Sequence, residues 1–338
     1  MNSMNFSDIG RVGAIEALYE GTPYKVFDKY GAALESGSQA VTRCKLMLEG
    51  TDFNLVYFPL KHLGYKAVTI GVGQIYAALA HPDAMDITIG VSAKLDYPQI
   101  KELWEGMVVA AKEHGLKHLG LDLVPSRNGL SIALATSGHA DRLQVARRPK
   151  PQSKDLICVS GPLGAAYLGF SLLEQGAADY EKNRTAPDLD RYKMIVGAYL
   201  KPEIEADALT KMEDLGIVPS AAYLADRGLA DVLKQLVRDT GLGAKVYADK
   251  IPFEGNTFEL GKKLDIDPIS AAFNGGEDYR LVFTIPILKM EDFRHNLQTF
   301  DIIGHLAQND VGAVLVTPEG VEMPVHSQGW KDDDDEEE

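Results

Sequence analysis

The sequence predicts a soluble α+β protein of two domains, and three observations carry that prediction. Its 338 residues are 45% hydrophobic and 25% charged, a composition and length that can fill sizeable cores in more than one unit. Strand-like alternation and helical apolar spacing are interleaved in both halves of the chain. Between the halves, ARRPKPQSK at 146–154 is polar, basic and twice interrupted by proline, so it reads as a linker rather than as a strand inside a sheet. The expected units are therefore residues 1–147 and 148–330, followed by an acidic disordered tail at 331–338.

Along the first half, 40–49 and 85–94 (MDITIGVSAK) alternate like strands, whereas 61–80 and 98–115 place apolar residues at helical spacing. Strands also fit 117–124 and 130–137. The second half restarts with a strand (DLICVS), a Gly-Pro-Leu-Gly turn and a helix over 165–175, then a polar stretch, QGAADYEKNRTAPDLD. Helices near 203–215 and 227–240 follow, with strands near 244–248, 279–285, 301–307 and 312–317. The chain shows no internal repeat, which excludes solenoids and propellers.

Charge and cysteine usage narrow the function classes. The formal net charge is −15, and the last seven residues, Asp332 to Glu338, are all acidic. That tail reads either as a solvated appendage or as an electrostatic partner-binding segment. Duplex nucleic acid is excluded as a partner because no basic stripe is visible to meet its phosphates. Cys44 and Cys158 sit in strand-like apolar runs without short Cys or His spacing. They are expected to be buried reduced thiols rather than a disulfide or a zinc site. With neither a signal-peptide pattern at the start nor a long apolar run, a cytoplasmic protein with no membrane partner is expected.

Five segments in fixed order, LEGTDFNLVYFPLKHLGYKAV (48–68), SKDLICVSGPLGAAYLG (153–169), LKPEIEADAL (200–209), FNGGEDYRLVFT (273–284) and SQGW (327–330), resemble thiamine-monophosphate kinases. These are relatives of aminoimidazole ribonucleotide synthetase and selenophosphate synthetase. The resemblance spans roughly residues 6–330 and implies a two-domain fold of the aminoimidazole ribonucleotide synthetase type. It further implies a homodimer built by pairing N-terminal sheets, and ATP with several magnesium ions in a cleft between domains. The implied reaction transfers the ATP γ-phosphate to thiamine phosphate, giving thiamine diphosphate. Such transfer rests on positioning and metal neutralisation, and magnesium demands oxygen ligands, so a cluster of carboxylates is expected.

Against that resemblance most of those carboxylates are replaced. The Gly-Asp-Asp-Ala-Ala stretch falls on DKYGAAL, with Lys29 and Tyr30 at the two acids. Lys45 and Gln74 stand at two further aspartates, and Pro162 at the aspartate of a glycine-rich turn. Asp-Ile-Ser-Asp-Gly-Leu reads LADRGL, so Leu224 and Arg227 occupy its acid positions and Asp226 lies one residue off. Asp122 is retained in GLDLV, and Asp52 stands where histidine is usual. At about 4 Å and an effective dielectric near 20, a like-charge contact costs roughly 4 kcal/mol, so a cation beside Lys45 or Arg227 is repelled.

In NGGEDYRLVF (274–283), Gly275 and Gly276 let backbone approach closely, while Glu277, Asp278 and Tyr279 keep the spelling of the family it resembles. The loop either lines a ligand cleft or makes a tight turn whose acids cap backbone donors or pair with a nearby Arg. Trp330 either stacks on a thiazolium, by cation–π attraction, or anchors the C-terminus. His62 lacks a second ligand at metal spacing and reads as a helix-surface or core histidine. Three functions remain open: a kinase using Asp122, Asp226, Glu277 and Asp278 for a reduced metal set, with Asp52, Tyr279 and Trp330 at the substrate; a non-catalytic paralogue that binds nucleotide or thiamine phosphate through Lys29, Lys45 and Arg227; and a dimeric scaffold. The replacements favour the two non-catalytic readings.

Overall fold

The computed structural model describes residues 6–20, 22, 32–184 and 189–330. Lys29, Tyr30 and the acidic tail lie outside the described residues. The first half contains α1 (Phe6–Tyr19), β1 (Ala32–Ala33), β2 (Gln39–Leu48), α2 (Leu60–Tyr76), β3 (His81–Ser92), α3 (Tyr97–Glu113), β4 (His118–Ser126), β5 (Ser131–Ala140) and α4 (Arg142–Arg147). Its sheet has the order β1-β2-β5-β3-β4. Antiparallel pairing joins every neighbour except β3 and β4, which run parallel. Such a pair needs a crossover, and α3 supplies it, started by a capping box between Asp96 and Gln99.

Two-residue alternation decides what each strand buries. Val41 and Met47 of β2 point toward the helices and are buried, whereas Leu46 and Leu48 on the opposite face are 53% and 40% exposed. That parity corrects one expectation: Cys44 is exposed, because it shares a face with Leu46 and Leu48, while Cys158 is buried as expected. β3 begins at His81, ahead of the expected 85, since it pairs with β5 through Pro82 by a register shift.

The second half contains β6 (Leu156–Val159), α5 (Ala165–Asn183), α6 (Lys193–Leu200), α7 (Ala208–Asp214), β7 (Ala221–Ala225), α8 (Leu229–Thr240), β8 (Gly243–Tyr247), α9 (Thr257–Leu264), β9 (Arg280–Ile285), β10 (Asp301–Ala307), β11 (Ala313–Val316) and β12 (Glu322–Pro324). They form a sheet of order β12-β11-β8-β10-β6-β9-β7. The polar stretch after Gln175 is helical as far as Asn183: α5 continues to that residue, its polar residues being the solvated side of a longer helix.

One face of this sheet, with Ile157, Val159, Tyr223 and Val282, packs on Leu229, Val232, Leu233 and Leu236 of α8. The other, with Cys158, Leu224, Leu281 and Phe283, joins a core that also contains Leu63, Val68 and Ile70 of α2. Thus α2 is packed by both halves, which is why 14 of its 17 residues are buried. Gly73 marks the closest approach: a Cβ there would lie 2.6 Å from Ile204 Cδ1 and 3.0 Å from Leu224 Cδ1.

In the same core, Phe293 packs edge-on to Phe283 and stacks on Phe300, with centroids 6.0 and 6.2 Å away. Phe293→Ala is expected to destabilise the protein by about 3–5 kcal/mol, read from denaturant unfolding.

Candidate functional site

The Gly275–Tyr279 turn precedes β9 and is fastened to the end of β7. Gly276 has φ +75°, and a Cβ there would sit 2.9 Å from the Asp226 carbonyl oxygen. Glu277 and Tyr279 also have positive φ, +65° and +48°, conformations that cost about 1–3 kcal/mol each for such residues. Two hydrogen bonds hold them there: Glu277 N–H donates to Asp226 O and Tyr279 N–H to Ala225 O, both at 2.9 Å. Between them, the buried Asp278 carboxylate accepts from the Gly164 and Ala166 amides at 2.8 and 3.2 Å. It therefore satisfies orphan donors at the start of α5. Burial pushes its pKa up to about 7, against the opposing pull of those amides and of Arg280.

Glu277 reaches the other half. Its carboxylate accepts from Lys66 Nζ at 2.5 Å. Lys66 lies in the middle of α2 and is 0% exposed. Its ammonium sits 3.9 Å from the ring centroid of Tyr199, 5.3 Å from Phe58 and 5.8 Å from Tyr279, a cation–π box around one buried charge. Tyr279 Oη closes the arrangement by donating to Glu277 at 3.3 Å. Desolvation pushes the Lys66 pKa down and Glu277 pulls it back up. The sequence reading missed Lys66; its signal was a lone lysine inside the apolar helical run LGYKAVTIGVG.

Three of the replaced positions, Lys45, Leu224 and Arg227, lie around this pair. Lys45 Nζ lies 3.0 Å from Asp52 Oδ1, and Asp52 Oδ2 accepts from the Leu48 amide at 2.8 Å. Arg227 pairs with Asp226 at 3.6 Å. Burial pushes the Asp226 carboxyl up, and Arg227 and Lys45 pull it back down. Lys45 and Asp52 also act on Lys66, so the three pairs share one electrostatic neighbourhood. Leu224 is buried against Gly73 of α2, turning an expected acid position into apolar contact.

Asp122 and Trp330 are placed elsewhere. In register, Asp122 aligns with Thr88, Ala133 and Leu46, so it belongs to the sheet face opposite Lys45. Its carboxylate accepts from the adjacent Leu123 amide at 2.9 Å. Trp330 Nε1 donates to Asp231 Oδ1 of α8 at 2.7 Å, under the Arg238 guanidinium 5.0 Å from its ring. That geometry matches the anchoring role. His62 keeps a buried Nδ1 without a hydrogen bond, and burial pushes its pKa down. Among the described residues no three His, Cys, Asp or Glu side chains gather as a metal-sized group. Nor is any helix of the described residues long and apolar enough to cross a membrane.

Two sheets of this topology, both packed on α2 with the Gly275–Tyr279 turn at the joint, define a mixed α+β protein. No family model matches the chain. Its sequence is similar to thiamine-monophosphate kinases, at 24% identity to that of Aquifex aeolicus over 97% of this chain and 99% of the relative. The kinase of Pyrococcus horikoshii is 28% identical over 79% of this chain and 78% of its own. Among solved structures, "AaThiL complexed with AMPPCP and TMP" superposes with a TM-score of 0.80 at 19% identity, covering 97% of this chain and 99% of that one. A hydrogenase maturation protein, HypE in complex with ATP, shares the fold at a TM-score of 0.63 and 16% identity over 97% of this chain and 94% of that one.

Asp278 yields a pH test. A carboxyl raised from 3.8 to about 7 on folding gives stability that is complete below 3.8 and is lost as pH climbs through about 7. Relative to Asp278→Asn, the parent protein is therefore expected to lose melting temperature between about pH 4 and pH 7. Parallel curves for the two proteins would reject the assignment.

Proposed function

We propose that this protein is a thiamine-monophosphate kinase-like binding protein that holds a phosphate-bearing ligand, thiamine phosphate or a nucleotide, in the cleft between its halves without metal-dependent phosphoryl transfer. One observation carries the reading: at positions where the resemblance implies metal-binding acids, Lys45 and Arg227 instead contribute cations, each already beside a carboxylate. A magnesium ion entering there would displace those cations or sit against them, and either outcome is unfavourable. The described residues do not fit a magnesium set, so no step is routed through the ion. Lys45 and Arg227 side chains remain 30% and 47% exposed, which leaves donors accessible to phosphate oxygens. Lys29, the third cation expected from the sequence, lies outside the described residues.

The first test is incubation with magnesium, ATP and thiamine monophosphate, followed by chromatography for thiamine diphosphate. No product above a no-protein control is expected, and clear turnover would overturn the proposal. Calorimetric titration of thiamine monophosphate should give the same affinity with magnesium or with chelator. Arg227→Met and Lys45→Met should each weaken it by roughly tenfold or more, as expected for a lost charge-assisted hydrogen bond.

The proposal includes a homodimer and the division at 147/148, with a reducing, cytoplasmic setting supported by the two free cysteines. Leu46, Leu48 and Val124, 53%, 40% and 40% exposed, lie on one sheet face, an apolar patch suited to a second copy. Sedimentation should report a dimer, and Leu46→Glu should yield monomers whose Cys44 reacts faster with a thiol reagent. A monomeric parent protein would remove this part of the reading.

A further inference from the structure

We propose that Lys66 is a positioning residue of the cleft: its ammonium, set in the aromatic box of α2 and its neighbours, fixes the Glu277 carboxylate and thereby the Gly276–Tyr279 turn that faces a bound ligand. The clause about the ligand rests on the binding function above; the positioning itself does not. Three observations join here. Lys66 is fully buried, and its ion-pair partner at 2.5 Å comes from the opposite half of the molecule. Glu277 occupies the left-handed region, where a non-glycine residue persists only if its surroundings hold it. The same turn donates Glu277 N–H and Tyr279 N–H to the carbonyls of Asp226 and Ala225, the strand end that also carries Arg227.

A charge without water must keep its partner, so Lys66 cannot let Glu277 go without leaving a bare buried ammonium. The carboxylate is less constrained, being 27% exposed and able to exchange its partner for solvent. The pair is therefore asymmetric: α2 holds the loop, rather than the loop holding α2. Asp52, Lys45, Phe58, Tyr199 and Tyr279 are the other groups acting on this charge or facing it.

Hydrogen exchange tests the proposal without any ligand. In Lys66→Met, which fills the box with an apolar chain, the peptides covering 225–228 and 274–279 are expected to exchange at least about tenfold faster, with β6 and β10 unchanged, because local opening reports the lost contact locally. Lys66→Arg, which keeps a cation, should restore most of the protection. The double variant Lys66→Met/Glu277→Gln should exchange no faster at the loop than Lys66→Met alone, since Lys66 acts through Glu277. Unchanged loop exchange in Lys66→Met, or equal acceleration through β6 and β10, would overturn the proposal. If Lys66→Met does not fold, Lys66→Arg and Glu277→Asp decide: loop exchange as slow as the parent's in Glu277→Asp, whose shorter arm cannot keep the contact, would overturn it as well. Thiamine monophosphate titration of Lys66→Met is read separately, so a protein that binds no ligand leaves the exchange result intact.

Discussion

A lysine ammonium taken wholly out of water sets the terms for the middle of this molecule. Lys66 is fully buried where it lies, and leaving a charge of that kind without its partner costs roughly 3–5 kcal/mol, a large share of the stability of a typical domain. Three aromatic rings supply part of the compensation and Glu277 the rest, and these groups come from separate stretches of chain: Phe58 before α2, Tyr199 at the end of α6, Glu277 and Tyr279 in the turn before β9. Each stretch must arrive in place for any of them to be satisfied. The two sheets are thereby given a fixed relation through α2, whose apolar face is already committed to both cores.

The acids around this joint are occupied with comparable tasks. Asp52 faces Lys45 and caps the Leu48 amide, Asp226 faces Arg227, and Asp278 caps the first turn of α5. A carboxylate that terminates a helix or neutralises a neighbouring cation has a structural reason to persist whatever chemistry surrounds it. This explains how the Gly-Gly-Glu-Asp-Tyr spelling can stay intact beside altered partners: the loop's geometry depends on those side chains even where no ion does.

How much of this was legible in the sequence depended on the range of the forces involved. Strand parity is local, so β2, β5 and the α2 and α3 helices followed from the pattern, and the same parity, applied to Cys44, would have placed it outward. The extension of α5 was lost because polarity suggested a loop where it marked a solvated helix face, and β7, AAYLA, was too short and alanine-rich to register. In the site, the turn at Gly276 and the backbone-capping reading of Asp278 were accessible from local chemistry. The partner of Glu277 was not, because an arginine was sought and the cation comes from Lys66, 211 positions away. Likewise, Asp122 looked like a remnant ligand until strand register put it on the face opposite Lys45.

Replacing a metal by tethered cations changes what a pocket can do more than how strongly it attracts an anion. Magnesium carries two charges and holds oxygens of two molecules in one octahedral shell, which is how it can align a donor phosphate with an acceptor. A lysine or arginine supplies comparable attraction and directed hydrogen bonds, but each is fixed by its own backbone and by the carboxylate beside it. In the binding function proposed above, Lys45 and Arg227 would orient one phosphate group without bridging two. Recognition and transfer are separable demands, and under the binding function proposed above the charges of Lys45 and Arg227 serve the first.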